Sequence, residues 1–314
     1  MQKKKLRKQL NSEFKKNMKK NKGNKKAQLL IIIIFIIAGA VIEFGGDFLP
    51  ESIKPSSVSV NGNMEIHYLD VGQGDSIYIK VNDQDILIDA GPRSSSEELL
   101  QQLANYNIDD FEMIVATHPH EDHIGGMTAI FENYDVESFY MPKLSHTTIT
   151  FEKMVQAVAD EGISINVIKE GMHFDLGEGA YVDVYSPMYE SYTEFNDYSP
   201  IMKFVYGDTS FIFSGDAEAH AEQEVVAKYP TNLEADVLKL GHHGSSTSSS
   251  EEFVKAVDPE YGVISCGLNN KYGHPHREII QMLEERKIKY YRTDLQGEIS
   301  FTTDGSKITV KTEK

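Results

Sequence analysis

Cysteine is nearly absent: Cys266 is the one thiol in 314 residues. A single thiol makes neither an intramolecular disulfide nor a thiolate zinc cluster, so any metal in this chain has to be held by histidine and carboxylate. Cys266 itself lies in the apolar run "YGVISC" and reads as a buried strand residue. Positive charge is scarce beyond residue 26. Residues 1–26 hold twelve of the 31 Lys/Arg and only Glu13 of the 48 Asp/Glu, which leaves 19 bases against 47 acids, a balance of −28. Such a surface lacks the basic excess with which proteins neutralise nucleic-acid phosphates. The two unequal parts are expected to work in different surroundings.

Long hydrophobic runs are missing as well, with one short exception. The uncharged stretch from Leu29 to Ile42 is fourteen residues, fewer than the ~20 of a comfortable membrane span. A basic head, an apolar stretch and the triplet Ala38-Gly39-Ala40 also fit a secretory signal cut after Ala40. A buried core helix is the third reading, and the unbroken apolar run argues against it. The unusually long basic head favours an uncleaved anchor. By the positive-inside rule the basic end then stays in the cytoplasm. The expected localisation is the cell membrane, single-pass with the acidic domain extracellular; the alternative is secretion after cleavage near Ala40.

The expected organisation is a basic cytoplasmic tail over 1–26, an anchor or signal segment over 27–44, a Gly/Pro/Ser/Asn-rich linker over 45–63 and one folded domain over 64–314. Hydrophobic content of 40% supports a sizeable core there. Alternating stretches "MEIHYL", "SIYIKV" and "DILIDA" predict strands, a helix is expected over Glu97–Tyr106, and "FEMIVA" is a short apolar strand. Later come "YVDVYS", "MKFVYG", "SFIFSG", "DVLKL", "YGVISC", "GEISFT" and "KITVK" as strands. Helices are expected around Ala217–Tyr229, Ser250–Val257 and Arg277–Arg286. Strands, then helices, then strands again suggest two sheets with helices outside.

Three histidines and an aspartate crowd into "THPHEDHIGG", between a predicted strand and a helix expected to begin near Ile124. His118 and His120, two apart in extended chain, can point the same way, and Asp122 and His123 follow at the turn. Imidazole with carboxylate suits zinc, manganese or iron, and two-metal sites of this kind serve hydrolysis. His67, His146, His173 and His220 have no ligand-like neighbours and read as surface or packing residues.

The HxHxDH stretch resembles the signature of the metallo-β-lactamase fold superfamily. Together with "LDVGQGDSIYI", "ILIDAG", "FSGD", "LKLGHHGSSTSSS" and "NNKYGHPH", it is similar to the metallo-β-lactamase-like domain of the ComEC family of DNA-uptake competence proteins, over roughly Met64 to Val310. ComEC proteins also carry a multi-helix channel, whereas at most one membrane segment is read here, so a separate channel or competence protein is an expected partner. The resemblance implies an α/β (α+β) fold, an αββα sandwich, with two divalent metal ions, zinc first and manganese as the alternative. It implies Asp216 as the carboxylate bridging both ions. Phe195, in "FNDYS", stands where many superfamily members supply a further histidine. "GHHG" and "GHPH" offer substitutes. The expected ligands are His118, His120 and His242 on one ion, and Asp122, His123 and His274 on the other. His243 and His276 remain the alternatives within each pair. Asp122 and His243 are the expected catalytic residues, His243 as hydrogen-bond or proton donor. Asp89 is expected behind a ligand imidazole. Asp70 and Asp75, which bracket a glycine loop, are left outside the ligand set.

The expected function is metal-dependent hydrolysis by an activated water without a protein nucleophile. A nuclease or other phosphodiesterase acting on extracellular DNA comes first. A cell-surface phosphodiesterase or esterase on a non-nucleic substrate such as teichoic acid is the alternative, and a non-catalytic metal-binding interaction module is the alternative of another class. The acidic composition yields a test: if DNA is the substrate, cleavage should need divalent cation beyond the amount that fills the site, and tight DNA binding in EDTA would contradict this.

Overall fold

The computed structural model describes residues 62–314, and the expected basic tail, apolar segment and most of the linker lie outside the described residues. Among the described residues no helix is long and apolar enough to cross a membrane. The strands are β1 (Met64–Tyr68), β2 (Ile77–Val81), β3 (Gln84–Ile88), β4 (Asp110–Phe111), β5 (Met113–Val115), β6 (Asp135–Val136), β7 (Phe139–Met141), β8 (Ile165–Val167) and β9 (His173–Asp175). They continue with β10 (Ala180–Val184), β11 (Met202–Tyr206), β12 (Thr209–Phe213), β13 (Val237–Lys239), β14 (Tyr261–Ile264), β15 (Lys289–Arg292), β16 (Ile299–Thr303) and β17 (Ile308–Thr312).

One sheet has the order β17-β16-β1-β2-β3-β5-β7-β8 and the other β15-β14-β13-β12-β11-β10-β9, with β4 and β6 as a separate short pair. Each large sheet is antiparallel in one half and parallel in the other. The change falls at β3, antiparallel to β2 and parallel to β5, and at β12, antiparallel to β11 and parallel to β13.

Side-chain alternation builds the layers. Ile66, Ile79, Ile86 and Val115 from one sheet meet Val182, Phe204, Phe213 and Val237 from the other in a core between the sheets. The next residue along each strand faces outward, so Tyr78, Leu87 and Ile114 pack under the helices Ser96–Leu103, Met127–Asn133 and Ile149–Glu161. Ile212, Leu238 and Ile264 pack under Ala219–Lys228, Glu251–Val257 and Arg277–Arg286. The result is the expected αββα sandwich, with parallel strands buried on both faces.

Some elements differ from the sequence expectation. "FEMIVA" divides into β4 and β5, because Phe111 pairs with Val136 of β6 while Met113 pairs with Ile86 of β3. Asp122 and His123 lie inside a one-turn helix, Glu121–Ile124, and the next helix starts at Met127. The helix Ile149–Glu161 is not among the expected elements: Thr148 Oγ1 accepts from the Phe151 N–H, Gly162 closes it at φ 80, and Phe151, Met154, Val155 and Val158 form its buried stripe.

Glu222, fully buried on Ala219–Lys228, accepts from the N–H groups of Ser249 and Ser250 at 2.6 and 2.7 Å and so ties the serine loop to this helix. Burial pushes its carboxyl up to about 7 from the ordinary 4.5, against those hydrogen bonds. Between these values the folded state holds the extra proton, so stability should fall as pH rises from about 5 to 7 and level off above, by roughly 3 kcal/mol. Glu222→Gln should start less stable at pH 5 and lack this decline, so that urea denaturation shows the gap between the two proteins narrowing toward pH 8.

Candidate metal centre

Every histidine and aspartate of the expected ligand set, and Asp89 expected behind it, follows the carboxyl end of a strand in the parallel halves. Asp89 follows β3; His118, His120, Asp122 and His123 follow β5; Asp216 follows β12; His242 and His243 follow β13; His274 lies in the segment after β14. The two sheets therefore present their loops to each other over one cleft of about 840 Å3, lined among others by Gln73, His120, Asp122, His242, His243 and His274. That is where open α/β sheets hold ligands.

Local backbone aims these side chains. His242 and His243 both take left-handed conformations, φ 48 and 56. In extended chain neighbouring side chains point to opposite sides; here both imidazoles turn toward Asp216. Gly74 brings the 69–76 loop onto the histidine loop, since a Cβ there would lie 2.3 Å from the Asp122 carbonyl oxygen.

Asp216 Oδ2 is the centre. It lies 3.2 Å from His123 Nε2, 3.6 Å from His118 Nε2, 3.6 Å from His243 Nε2 and 3.8 Å from His242 Nε2. His118 Nε2 is 3.0 Å from His120 Nδ1, and His123 Nε2 is 3.3 Å from His243 Nε2, which in turn lies 3.4 Å from Asp122 Oδ2. Two donor groups result. His118 and His120 form one, Asp122, His123 and His243 the other, with Asp216 between them and His242 beside its carboxylate.

The far sides of the rings are also engaged. His123 Nδ1 is 2.7 Å from Asp89 Oδ2, and Asp89 accepts from the N–H and hydroxyl of Thr117. His243 Nδ1 is 3.0 Å from the Ser265 carbonyl and 3.2 Å from Asp75 Oδ1. His242 Nδ1 is 3.3 Å from Glu218 Oε1. An Nδ1 facing acceptors carries the proton, which leaves the Nε2 lone pair directed at Asp216.

The electrostatics call for a cation. Burial and the neighbouring His123 push His118 well below the ordinary histidine range, so it is a neutral lone-pair donor. Burial alone would raise Asp216, yet the facing His123 and His243 hold it well below the carboxylate range. Burial would likewise lower His123, but Asp216 and Asp89 draw it well upward. Asp216 Oδ1 is buried with no hydrogen-bond partner. A buried pocket that drives its own histidines toward protonation, leaves a carboxylate oxygen unpartnered and aims convergent lone pairs inward fits divalent metal ions.

The structure brings together most of the residues singled out in the sequence and rearranges two. His274, expected beside Asp122 and His123, stands next to the pair His242 and His243 at the cleft, with ring centroids 5.5 and 6.2 Å away. The imidazole facing Asp122 and His123 is that of His243, expected as a proton donor. The cause is the left-handed His242–His243 turn, which a sequence pattern does not display. His274 Nδ1 is buried without a partner, and burial beside His243 and His242 lowers the ring to about 4, so it is neutral at pH 7. His276 binds the Ser246 N–H through Nδ1, outside the donor groups. Phe195 is part-exposed beside His120, ring centroids 6.3 Å apart, and Asn196 lies behind it with Nδ2 3.4 Å from His242 Nδ1. Asp75, outside the expected ligand set, offers an oxygen within 4.8 Å of ligand atoms of His123, Asp216 and His243. Asp70 closes a turn by accepting from the Gly72 N–H.

An αββα sandwich with histidine and aspartate donors converging at its parallel strand ends defines a metal-binding hydrolase fold. The chain belongs to the metallo-beta-lactamase superfamily, whose family model matches residues 69–268. It is 33% identical over 255 residues to ComE operon protein 3 of Bacillus subtilis, a match covering 76% of this chain and 33% of that protein. To Competence protein ComA of Neisseria gonorrhoeae it is 28% identical over 269 residues, covering 85% of this chain and 35% of the relative. The resemblance to the competence-protein domain is thereby borne out, and the chain spans about a third of the length of these relatives. Exodeoxyribonuclease YycJ of Bacillus anthracis is 26% identical over 190 residues, covering 54% of this chain and 68% of that protein.

His243→Ala should lower the zinc retained after dialysis, whereas His274→Ala should retain it; circular dichroism checks that both remain folded. Full zinc in His243→Ala would move the ligand role away from this ring.

Proposed function

We propose that this domain is a metal-dependent phosphodiesterase whose substrate is DNA. The observation that carries the reading is the donor set around Asp216 at the floor of an open cleft. The match to an exodeoxyribonuclease supports a nucleic-acid substrate. When bound, divalent ions supply Lewis acidity and activate water at neutral pH. The chain's own groups do the rest. Asp122, whose side chain is 28% exposed, is the most accessible carboxylate of the donor set and borders the cleft where an attacking water would lose its proton. Neutral His274 borders the same cleft, where its ring can bond a phosphoryl or leaving-group oxygen. The rim carries one exposed aromatic ring: Tyr272, 52% exposed with Lys271 Nζ 4.9 Å from its ring centroid, lines the cleft. Aromatic faces of this kind stack nucleobases irrespective of sequence.

The −28 balance of residues 27–314 favours a second reading, a cell-surface phosphodiesterase acting on a non-nucleic polymer such as teichoic acid. Under either reading we place the domain outside the membrane on an N-terminal anchor, with a separate channel or competence protein as partner in the DNA case.

The full chain should cleave both bis-p-nitrophenyl phosphate and single-stranded DNA with zinc or manganese, and lose both activities on Asp122→Ala. Cleavage of the small diester alone would move the substrate to the non-nucleic reading, and no cleavage of either would remove the phosphodiesterase reading.

A further inference from the structure

Lys239 breaks the apolar run of β13, and it is 0% exposed. Its neighbour Val237 faces the core between the sheets and Leu238 faces the outer helices, so by alternation Lys239 points between the sheets. There its Nζ reaches Asp75 Oδ2 at 2.7 Å and the Leu240 carbonyl at 3.0 Å. Asp75 comes from the loop after β1, in the opposite sheet, and is 1% exposed. Its other oxygen is 3.2 Å from His243 Nδ1, whereas the Nε2 of that ring faces Asp216, Asp122 and His123. Asp75 therefore stands behind His243 and away from the donor side, although its distance alone would admit it as a ligand.

We infer that Lys239 is a positioning residue: acting through Asp75, it holds His243 with its proton on Nδ1 and its Nε2 lone pair aimed at the metal site. Lys239 pairs one oxygen of this buried carboxylate. The other makes no hydrogen bond and sits 3.2 Å from His243 Nδ1, so its negative charge favours the proton on that nitrogen, whose N–H bonds the Ser265 carbonyl at 3.0 Å. His123 has the matching arrangement, with Thr117 in place of the lysine behind Asp89. Lysine is the residue that fits behind Asp75 because the backbone of β13 is already committed to the sheet and its long side chain spans the gap between the layers.

This inference rests on the metal reading, and the test separates the two. Zinc affinity of the full chain is measured by competition with a chromophoric chelator, alongside the visible absorption of the cobalt-substituted protein. In wild type, failure to bind zinc or cobalt would overturn the metal reading itself. With wild type binding, Asp75→Asn should keep the number of ions but weaken one by about 10- to 100-fold and alter the cobalt spectrum, the usual effect of removing a group behind a ligand imidazole. Lys239→Met should weaken the same ion. The double variant Lys239→Met/Asp75→Asn should lose about as much as one single variant, because both act on one ring. Multiplying losses would mean independent action and overturn the inference, as would unchanged affinity and spectrum with only a lowered melting temperature. Loss of one whole ion in Asp75→Asn would make Asp75 a ligand and also overturn it. If Lys239→Met does not fold, Asp75→Asn decides by itself.

Discussion

Asp216 is 1% exposed, and one of its oxygens lies within 3.8 Å of four imidazole Nε2 atoms drawn from loops of both sheets. Burying a carboxylate costs several kcal/mol unless it is paired, and crowding imidazoles together adds repulsion once any of them is protonated. The arrangement is sound only if positive charge enters the centre. The rest of the fold answers that demand. The parallel halves of the two sheets put the carboxyl ends of β3, β5, β12 and β13 next to one another. The carboxylates behind the rings then fix which nitrogen faces inward.

The scaffold behind the centre is asymmetric. Asp89 follows β3 and His123 follows β5, neighbours in one sheet, and Asp89 is satisfied by Thr117 two residues beyond β5, so this couple forms as part of one βαβ unit. Asp75 belongs to one sheet, whereas Lys239 and His243 belong to the other. Its interactions are therefore tertiary, and they form only when the sandwich closes. The same few groups that orient His243 also cross the layer between the sheets, which couples the register of the sandwich to the shape of the site.

Regular periodicity made the strands of the sandwich legible, and the helix Arg277–Arg286 coincides with its expected bounds. The dense spacing of HxHxDH made half of the donor set legible, because these residues are close in the chain and need no tertiary information. The partition between His243 and His274 was not legible. It depends on two successive left-handed residues, and a non-glycine residue there gives no compositional signal. Asp75 was hidden for another reason: beside glycines an aspartate is ordinary turn chemistry. The lysine was the better clue. A cation inside an apolar strand buried on both faces must have a carboxylate partner, and "VLKL" next to "GHHG" puts that partner close to the histidines.

The acidic composition and a polyanionic substrate are compatible on physical grounds. At physiological ionic strength charge is screened over about 8 Å, so most of the −28 balance is not felt within a cleft whose walls carry His120, His242, His274 and Lys271. What a phosphodiester meets there is the local balance of Glu121, Asp122 and Asp216 against Lys271, the protons on the histidines and whatever cations the site holds. Without metal the proton drawn onto His123 offsets part of the carboxylate charge; two divalent ions add the positive charge that attracts a phosphate. An acidic domain of this design would hold little nucleic acid along its surface and would admit it only at the loaded centre, which sets contact at the rim, through Tyr272, as the remaining source of affinity for a strand.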